Sequence, residues 1–474
     1  MNLIFLVNLF RKFSIVLSLI VLIGASGVSA QAQAAVEPQR EQLLNGLRIL
    51  LWPRNADQDV LIKVRIHSGA AFDVAGKAGQ MAILSDILFP DPATREYFTE
   101  EMSGRLDVAV DYDSLTITLQ GRASEFERIV GILRTALVNT QITPENAAKM
   151  RDSHIKIVKE TTVSPQILAD RAIAARLFGD FPYGRPATGS AESITRVDRA
   201  DLMLAQERFL NPNNATLVVV GNLQKPRVMR ALRQLLGLWR KSEKIVPATF
   251  RQPDPPDVRT LIINAPADQS AEIRLATRGV ARSSRDFPAA TILAILARRR
   301  WEKLAPEMSR TPLFVRNESH VLPGMFVMGV SVDSLLAAKA LNTAREILRS
   351  LSTAPVSAVE LDQAKSEAIA QYNKELEKPD GIARAWLDID TFGLPGIAEQ
   401  IQTFNAVSAT DIQRLAATLF AENQIASVVM GDSRQLKATM EPTIKVELIG
   451  EVEKQPPTKP EATSGTTIPV KKPD

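Results

Sequence analysis

Apolar and polar residues alternate through Asp59–Ile66, with Val60, Ile62, Val64 and Ile66 on one side, the two-residue period of a strand. Past Gly69 the spacing changes. From about Ala78 to Phe89 the apolar positions Met81, Leu84 and Leu88, joined by Ala82, Ile83 and Ile87, recur at helical spacing until Pro90, Asp91 and Pro92 stop the run. Upstream, Leu43–Trp52 predicts a hairpin turning at Asn45-Gly46. Downstream, a short helix is expected near Arg95–Met102, then strands at Leu106–Val110 and Leu115–Leu119. Helices follow near Glu125–Val138, Pro144–Glu160, Pro165–Leu177 and Arg199–Phe209. The run Ala215–Val220 reads as a strand buried on both faces, and Lys225–Leu238 as a closing helix.

The same order then repeats. A strand at Ser270–Gly279, a helix at Asp286–Leu304, a hairpin at Leu313–Val332 and helices near Leu335–Leu351, Ala358–Leu376, Gly381–Thr391 and Thr410–Phe420 match the first half in turn. Asp201 and Asp411, Gly221 and Gly431, and Gly69 and Gly279 all lie 210 residues apart, so one offset aligns both ends of the two halves. Two copies indicate a tandem duplication and not a solenoid. The Pro-rich, charged stretch 241–257 reads as the linker. The expected domains are therefore 36–240 and 258–450, and 451–474, rich in Pro, Lys, Thr and Glu, reads as a disordered tail.

Composition removes several function classes. The apolar fraction of 45% and charged fraction of 23% are those of a folded globular chain, and a formal net charge of +4 spread over 474 residues gives no nucleic-acid signature. With no cysteine there are no disulfides, thiolate metal sites or cysteine nucleophiles. Residues 1–35 carry the marks of a signal peptide: Arg11 and Lys12, an apolar core within Phe13–Gly27, and small-residue cleavage sites at Val28-Ser29-Ala30 and Ala30-Gln31-Ala32. The apolar core is shorter than the ~20 residues of a membrane span, and no later stretch is long and apolar enough to form one. The expected location is the periplasm or outside the cell.

The stretch Asp59–Phe89, a strand, a Gly-containing loop and a helix, resembles the opening unit of the pitrilysin/insulinase family of zinc metallopeptidases. The segments Asp180–Ser190 (DFPYGRPATGS) and Asn211–Leu223 (NPNNATLVVVGNL) and the tandem repeat resemble the same family over roughly residues 40–440. The resemblance implies an α+β fold of two homologous tandem domains, each an antiparallel sheet of about six strands with helices on one face. It also implies a helix bearing His-x-x-Glu-His, whose two His bind zinc and whose Glu activates the metal-bound water. Here Ala82 stands at the first His, Ser85 at the Glu and Asp86 at the second His. For the family's third ligand, Glu160 is the nearest carboxylate, but counting back from Pro165 places that position at Ile157. The expectation is therefore no catalytic residue and no metal or other cofactor in this chain. The three histidines, His67, His154 and His320, show no ligand spacing, and His67 and His154 are expected at the surface or a cavity rim.

The resemblance implies further roles for a member without zinc. It pairs with a zinc-bearing homologue as a heterodimer, or with itself, closes the chamber and binds unfolded peptides. An Arg and a Tyr about fourteen residues apart polarise the scissile carbonyl. Arg300 matches that Arg as a substrate-binding residue, but Phe314 stands at the Tyr, and the alternative for Arg298, Arg299 and Arg300 is a solvated basic helix end. The hairpin Gly104–Gln120 is the first candidate for a sheet edge that takes a peptide as an added strand. The alternative function is a scaffold of the same fold with no role in proteolysis, as in the core subunits of mitochondrial respiratory complex III.

Overall fold

In the computed structural model, the residues described are 37–54, 57–161, 163–243, 250–251, 253–265, 270–304 and 309–449. The expected signal peptide and tail lie outside them, as does part of the expected linker. Strands β1 (Gln39–Gln42), β2 (Arg48–Pro53), β3 (Asp59–Ile66), β4 (Arg105–Val110), β5 (Leu115–Arg122) and β6 (Ala215–Gly221) form one sheet in the order β1-β2-β6-β3-β5-β4. Strands β7 (Thr260–Asn264), β8 (Ser270–Arg278), β9 (Phe314–Glu318), β10 (Met325–Asp333), β11 (Ala426–Gly431) and β12 (Val446–Ile449) form the second, in the order β12-β7-β11-β8-β10-β9. Both are six-stranded, and both are mixed. β2 runs parallel to β6, and β7 runs parallel to β11 and β12, while the other pairs are antiparallel.

The helices of the first half are α1 (Gln80–Leu88), α2 (Pro92–Glu100), α3 (Phe126–Val138), α4 (Pro144–Thr161), α5 (Pro165–Phe178), α6 (Ala191–Thr195), α7 (Arg199–Phe209) and α8 (Lys225–Leu236). Those of the second are α9 (Phe287–Leu304), α10 (Ala337–Thr353), α11 (Ala358–Leu376), α12 (Pro379–Phe392), α13 (Ile397–Ala406), α14 (Ala409–Leu419) and α15 (Ser433–Met440). Each half has its own apolar core, with Ile62, Val64, Met81, Leu84 and Leu133 in the first and Ile273, Leu293, Leu341 and Leu415 in the second. Among the described residues no helix is long and apolar enough to cross a membrane.

Two helices leave their own half. α5 packs on β8 and β11 of the second sheet, and α12 packs on β6 and β3 of the first. The apolar contents of these seams are Ile173, Leu177 and Phe178 against Val327 and Val428, and Trp386 and Leu387 against Leu61 and Val218. The exchange explains why β6 is buried along its whole length: its continuous apolar run has layers to satisfy on both faces. Burying a side chain such as Leu387 stabilises the pairing of the halves by about 2 kcal/mol. Helices thus cover one face of each sheet from its own half, and the opposite face receives one helix from the other half.

Candidate functional site

The loop before α1 is built on the Asp73 carboxylate, which accepts from the backbone N–H of Gly79 (2.7 Å) and of Met81 (2.9 Å). This satisfies amides that a helix start leaves unpaired. Gly79 has a φ of 97°, a left-handed conformation that glycine adopts without strain. Burial pushes the Asp73 pKa up to about 7, against the pull of those N–H groups. The three expected motif positions then follow on α1. Ala82 is buried, and Ser85, also buried, donates from its hydroxyl to the Ala82 carbonyl at 2.7 Å. Asp86 points its carboxylate at α4, where its Oδ2 lies 2.9 Å from His154 Nδ1.

His154 Nε2 lies 3.0 Å from the Thr188 carbonyl oxygen. Both partners are acceptors, so both ring nitrogens donate and the ring is the imidazolium. Burial works against the charge, but the Asp86 carboxylate and the Thr188 carbonyl outweigh it and raise the His154 pKa. A buried cation paired to Asp86 thus stands beside the helix where the family motif places its ligands. The expectation of a surface or rim position fails for His67, which α12 covers, while His154 does line a cavity and is buried at its edge. His67 is in the opposite protonation state. Its Nε2 accepts from Arg48 (2.9 Å) and its Nδ1 faces the Thr391 hydroxyl (3.2 Å). Burial, then the nearby Arg48 cation, lowers its pKa to about 4.

The remaining ligand candidates are dispersed. Glu160 is exposed and 3.9 Å from Lys156, one helical turn away. Ile157, at the position counted back from Pro165, is half exposed and lines the cavity. Among the described residues no group of three or more His, Asp or Glu is arranged to hold a metal ion. Asp86 and His154 are a pair, and the pairing of His154 through both nitrogens leaves it no lone pair for a metal. These residues do not fit zinc.

The cavity, of about 530 Å³, lies between the halves. One wall is α4 and α5, contributing Ile157, Ile167 and Phe178, and the other is the β9–β10 hairpin, contributing Arg316, Glu318 and His320. The walls are tied at one end. The Asp113 carboxylate accepts from the Tyr183 hydroxyl (3.2 Å) and from the Val321 N–H (3.0 Å), and it sits 3.3 Å from His320 Nδ1. Tyr112 donates to the Arg185 carbonyl at 2.9 Å, and burial pushes its pKa up to about 12. Arg316 lies 3.3 Å from Glu318, whose pKa is raised by burial despite that cation, and 3.7 Å from Asp170 on α5.

Arg300 does not line this cavity. Its Nε (2.8 Å) and Nη2 (3.1 Å) both donate to Glu360, and its Nη1 donates to the Ser350 hydroxyl (3.0 Å). Its guanidinium is committed to the contacts between α9, α10 and α11. Arg298 and Arg299 share Glu367 in the same layer, so this helix end is a network of ion pairs and not a solvated one. The hairpin Gly104–Gln120 does carry the outer strand of its sheet, β4, where Arg95 of α2 donates to the Leu106 carbonyl at 3.1 Å.

A family model described as the peptidase M16 inactive domain matches residues 196–368. The match supports the resemblance to the pitrilysin/insulinase family over little more than a third of the chain. It is similar to an uncharacterized zinc protease of Mycobacterium tuberculosis, with 26% identity over 214 residues, 44% of this chain and 49% of that protein. It is also similar to subunit 1 of the mitochondrial cytochrome b-c1 complex of Bos taurus, with 21% identity over 223 residues, 46% of this chain and 45% of that protein. The matches thus span about half the length of these relatives. The fold matches the crystal structure of a protease from Helicobacter pylori with a TM-score of 0.77 at 17% identity, covering 84% of this chain and 100% of that one. The chain therefore shares the fold of these proteins, while its α1 lacks His-x-x-Glu-His.

Ala82, Ser85 and Asp86 share one helix, α1, as the apolar spacing predicts. Sequence reasoning missed His154 as the partner of Asp86, and it missed Tyr112, Tyr183 and Arg316 in the cavity. One signal was available: His154 lies three residues before Ile157, on the same face of α4 as the missing third ligand.

Proposed function

We propose that this chain is a secreted or periplasmic, non-catalytic subunit of a pitrilysin/insulinase-type zinc peptidase complex. It pairs with a zinc-bearing homologue, closes that partner's chamber and holds unfolded peptide in the cavity between its two halves. The observation that carries this reading is the Asp86–His154 ion pair at an emptied motif, next to an open cavity whose α4–α5 wall sets Ile157, Ile167 and Phe178 beside Asp170 and Arg171. The apolar members of that wall suit side chains of a peptide. Arg316 and Glu318 suit its backbone carbonyl and N–H groups, an ordinary division of labour in a binding cleft. Arg316 takes the substrate contact that the family pattern assigned to Arg300, because Arg300 reaches a carbonyl only by leaving Glu360. In this reading the domains are 36–240 and 258–450, with 1–35 removed as a signal peptide.

The test is metal content and peptidase activity of the purified chain, alone and mixed with a zinc-bearing homologue encoded beside it. The expected result is no stoichiometric zinc, no cleavage alone, and faster cleavage by the partner on mixing. One zinc per chain with chelator-sensitive cleavage would sink the proposal. A second reading, a scaffold with no role in proteolysis, is favoured by the similarity to the cytochrome b-c1 subunit. It predicts stable association with a partner whose peptidase rate does not change.

A further inference from the structure

The stretch Asn222–Ser242 contains no Asp or Glu and six cations, Lys225, Arg227, Arg230, Arg233, Arg240 and Lys241. Most of it is α8, whose apolar positions Val228, Leu232 and Leu236 face the first core. Helical spacing therefore sends Arg230, Arg233 and Gly237 to the opposite side as one exposed stripe, continued by Arg240 and Lys241. Two cations are neutralised, Lys225 by Glu41 of β1 and Arg227 by Glu127 of α3. Arg230, Arg233, Arg240 and Lys241 have no ion-pair partner among the described residues. Lys225, Arg230 and Arg233 line a shallow open groove floored by Met229.

Two leucines are exposed at the end of this stripe. Leu238 is 70% exposed, and Leu44, at the tip of the β1–β2 hairpin, is fully exposed. They are held near each other because the Asn45 side chain donates to the carbonyls of Leu236 (2.8 Å) and Trp239 (3.1 Å). Unpaired cations bordered by exposed leucines are the composition of a surface that lies against lipid headgroups, with charge to attract and apolar side chains to insert.

The exposed leucines favour a bilayer over a polyanion that offers charge alone, because a bilayer can take up Leu44 and Leu238 as its headgroups meet the cations.

We propose that α8 and the turn after it form a membrane-surface face that takes the anionic headgroups of a lipid bilayer. The proposal is independent of the peptide cavity, which lies between the halves. The test is sedimentation of the full chain with vesicles of phosphatidylcholine alone and of phosphatidylcholine mixed with phosphatidylglycerol. The triple variant Arg230→Gln, Arg233→Gln, Arg240→Gln is compared with the wild type. The comparison uses the ratio of anionic to neutral binding, so that purely apolar contacts contribute equally to both chains. Each cation near an anionic leaflet is worth roughly fivefold, so the ratio is expected to fall about a hundredfold in the variant, with neutral binding unchanged. Added salt should reduce the wild-type ratio and leave the variant's nearly unmoved. An unchanged ratio in the triple variant overturns the proposal. So does a variant that loses retention on heparin but keeps its preference for anionic vesicles, because the stripe would then serve a different polyanion.

Discussion

The two helices that cross between halves make the same kind of contact with different chemistry. α5 meets the second sheet through an apolar and aromatic cluster flanked by ion pairs of its Asp170 with the deeply buried Arg274 and with Arg316, and of its Arg176 with Glu447. α12 meets the first sheet with an apolar centre around Trp386 and a charged border. Lys63 lies 3.0 Å from Asp380, Arg65 2.6 Å from Asp388 and Arg48 3.3 Å from Asp390, with His67 among them. A cavity of about 530 Å³ lies beside the α5 seam. The difference teaches that the duplication kept the architecture, a helix laid on the other half's sheet, while each seam specialised. Both seams carry ion pairs, those of the α12 seam border its Trp386 cluster, and the α5 seam adjoins an open cavity.

Three substitutions break or sharpen that comparison. The largest effect is expected at Arg274, 2% exposed and bonded to Asp170, Glu272 and the Ile273 carbonyl. Arg274→Met leaves the buried Glu272 carboxylate without its cation and should destabilise by about 4 kcal/mol, read from the urea midpoint. A neutral result would mean that the apolar cluster alone holds the α5 seam.

The next effect is a pH slope at the α12 seam. The His67 pKa is lowered to about 4 in the folded chain, so between about pH 6.5 and 4 the unfolded state binds more protons. Its contribution to stability is complete above pH 6.5 and is lost as pH falls toward 4, by about 3 kcal/mol. His67→Gln should flatten that part of the stability–pH curve relative to the wild type. An unchanged slope would show that His67 is not held neutral.

The smallest effect belongs to His154, at the open site, and has the opposite sign. Its folded pKa is raised, so its contribution is complete below about pH 6.5 and is lost as pH rises through the folded value. With Asp86 about one-third exposed, His154→Gln should cost only about 1 kcal/mol at acidic pH, and the difference should vanish at alkaline pH. The His154 ring resonance, followed by NMR, should titrate above 6.5.

Much of the fold was legible because its signals are local. The strand at Asp59–Ile66, the helix beginning near Ala78 and the hairpin at Asn45-Gly46 follow from period and turn chemistry within a dozen residues. The elements that escaped are short or weakly patterned. β12 has four residues and takes its register from β7, and α13 follows Gly396 with a broken apolar pattern. The parallel pairing that makes both sheets mixed also escaped, because the strands that pair are far apart in the chain.

The sequence by itself determined most of the secondary elements, the duplication and the absence of His-x-x-Glu-His from α1. Each is written in neighbouring residues or in a fixed offset. Only the tertiary structure decided which sheet α5 and α12 cover, because their apolar faces fit either layer and the choice is made by the surfaces that meet. It also decided the charge of the two histidines. His67 and His154 have the same intrinsic chemistry. Arg48 beside one and Asp86 beside the other, brought from distant parts of the chain into a poorly solvated site, hold the first neutral and the second cationic.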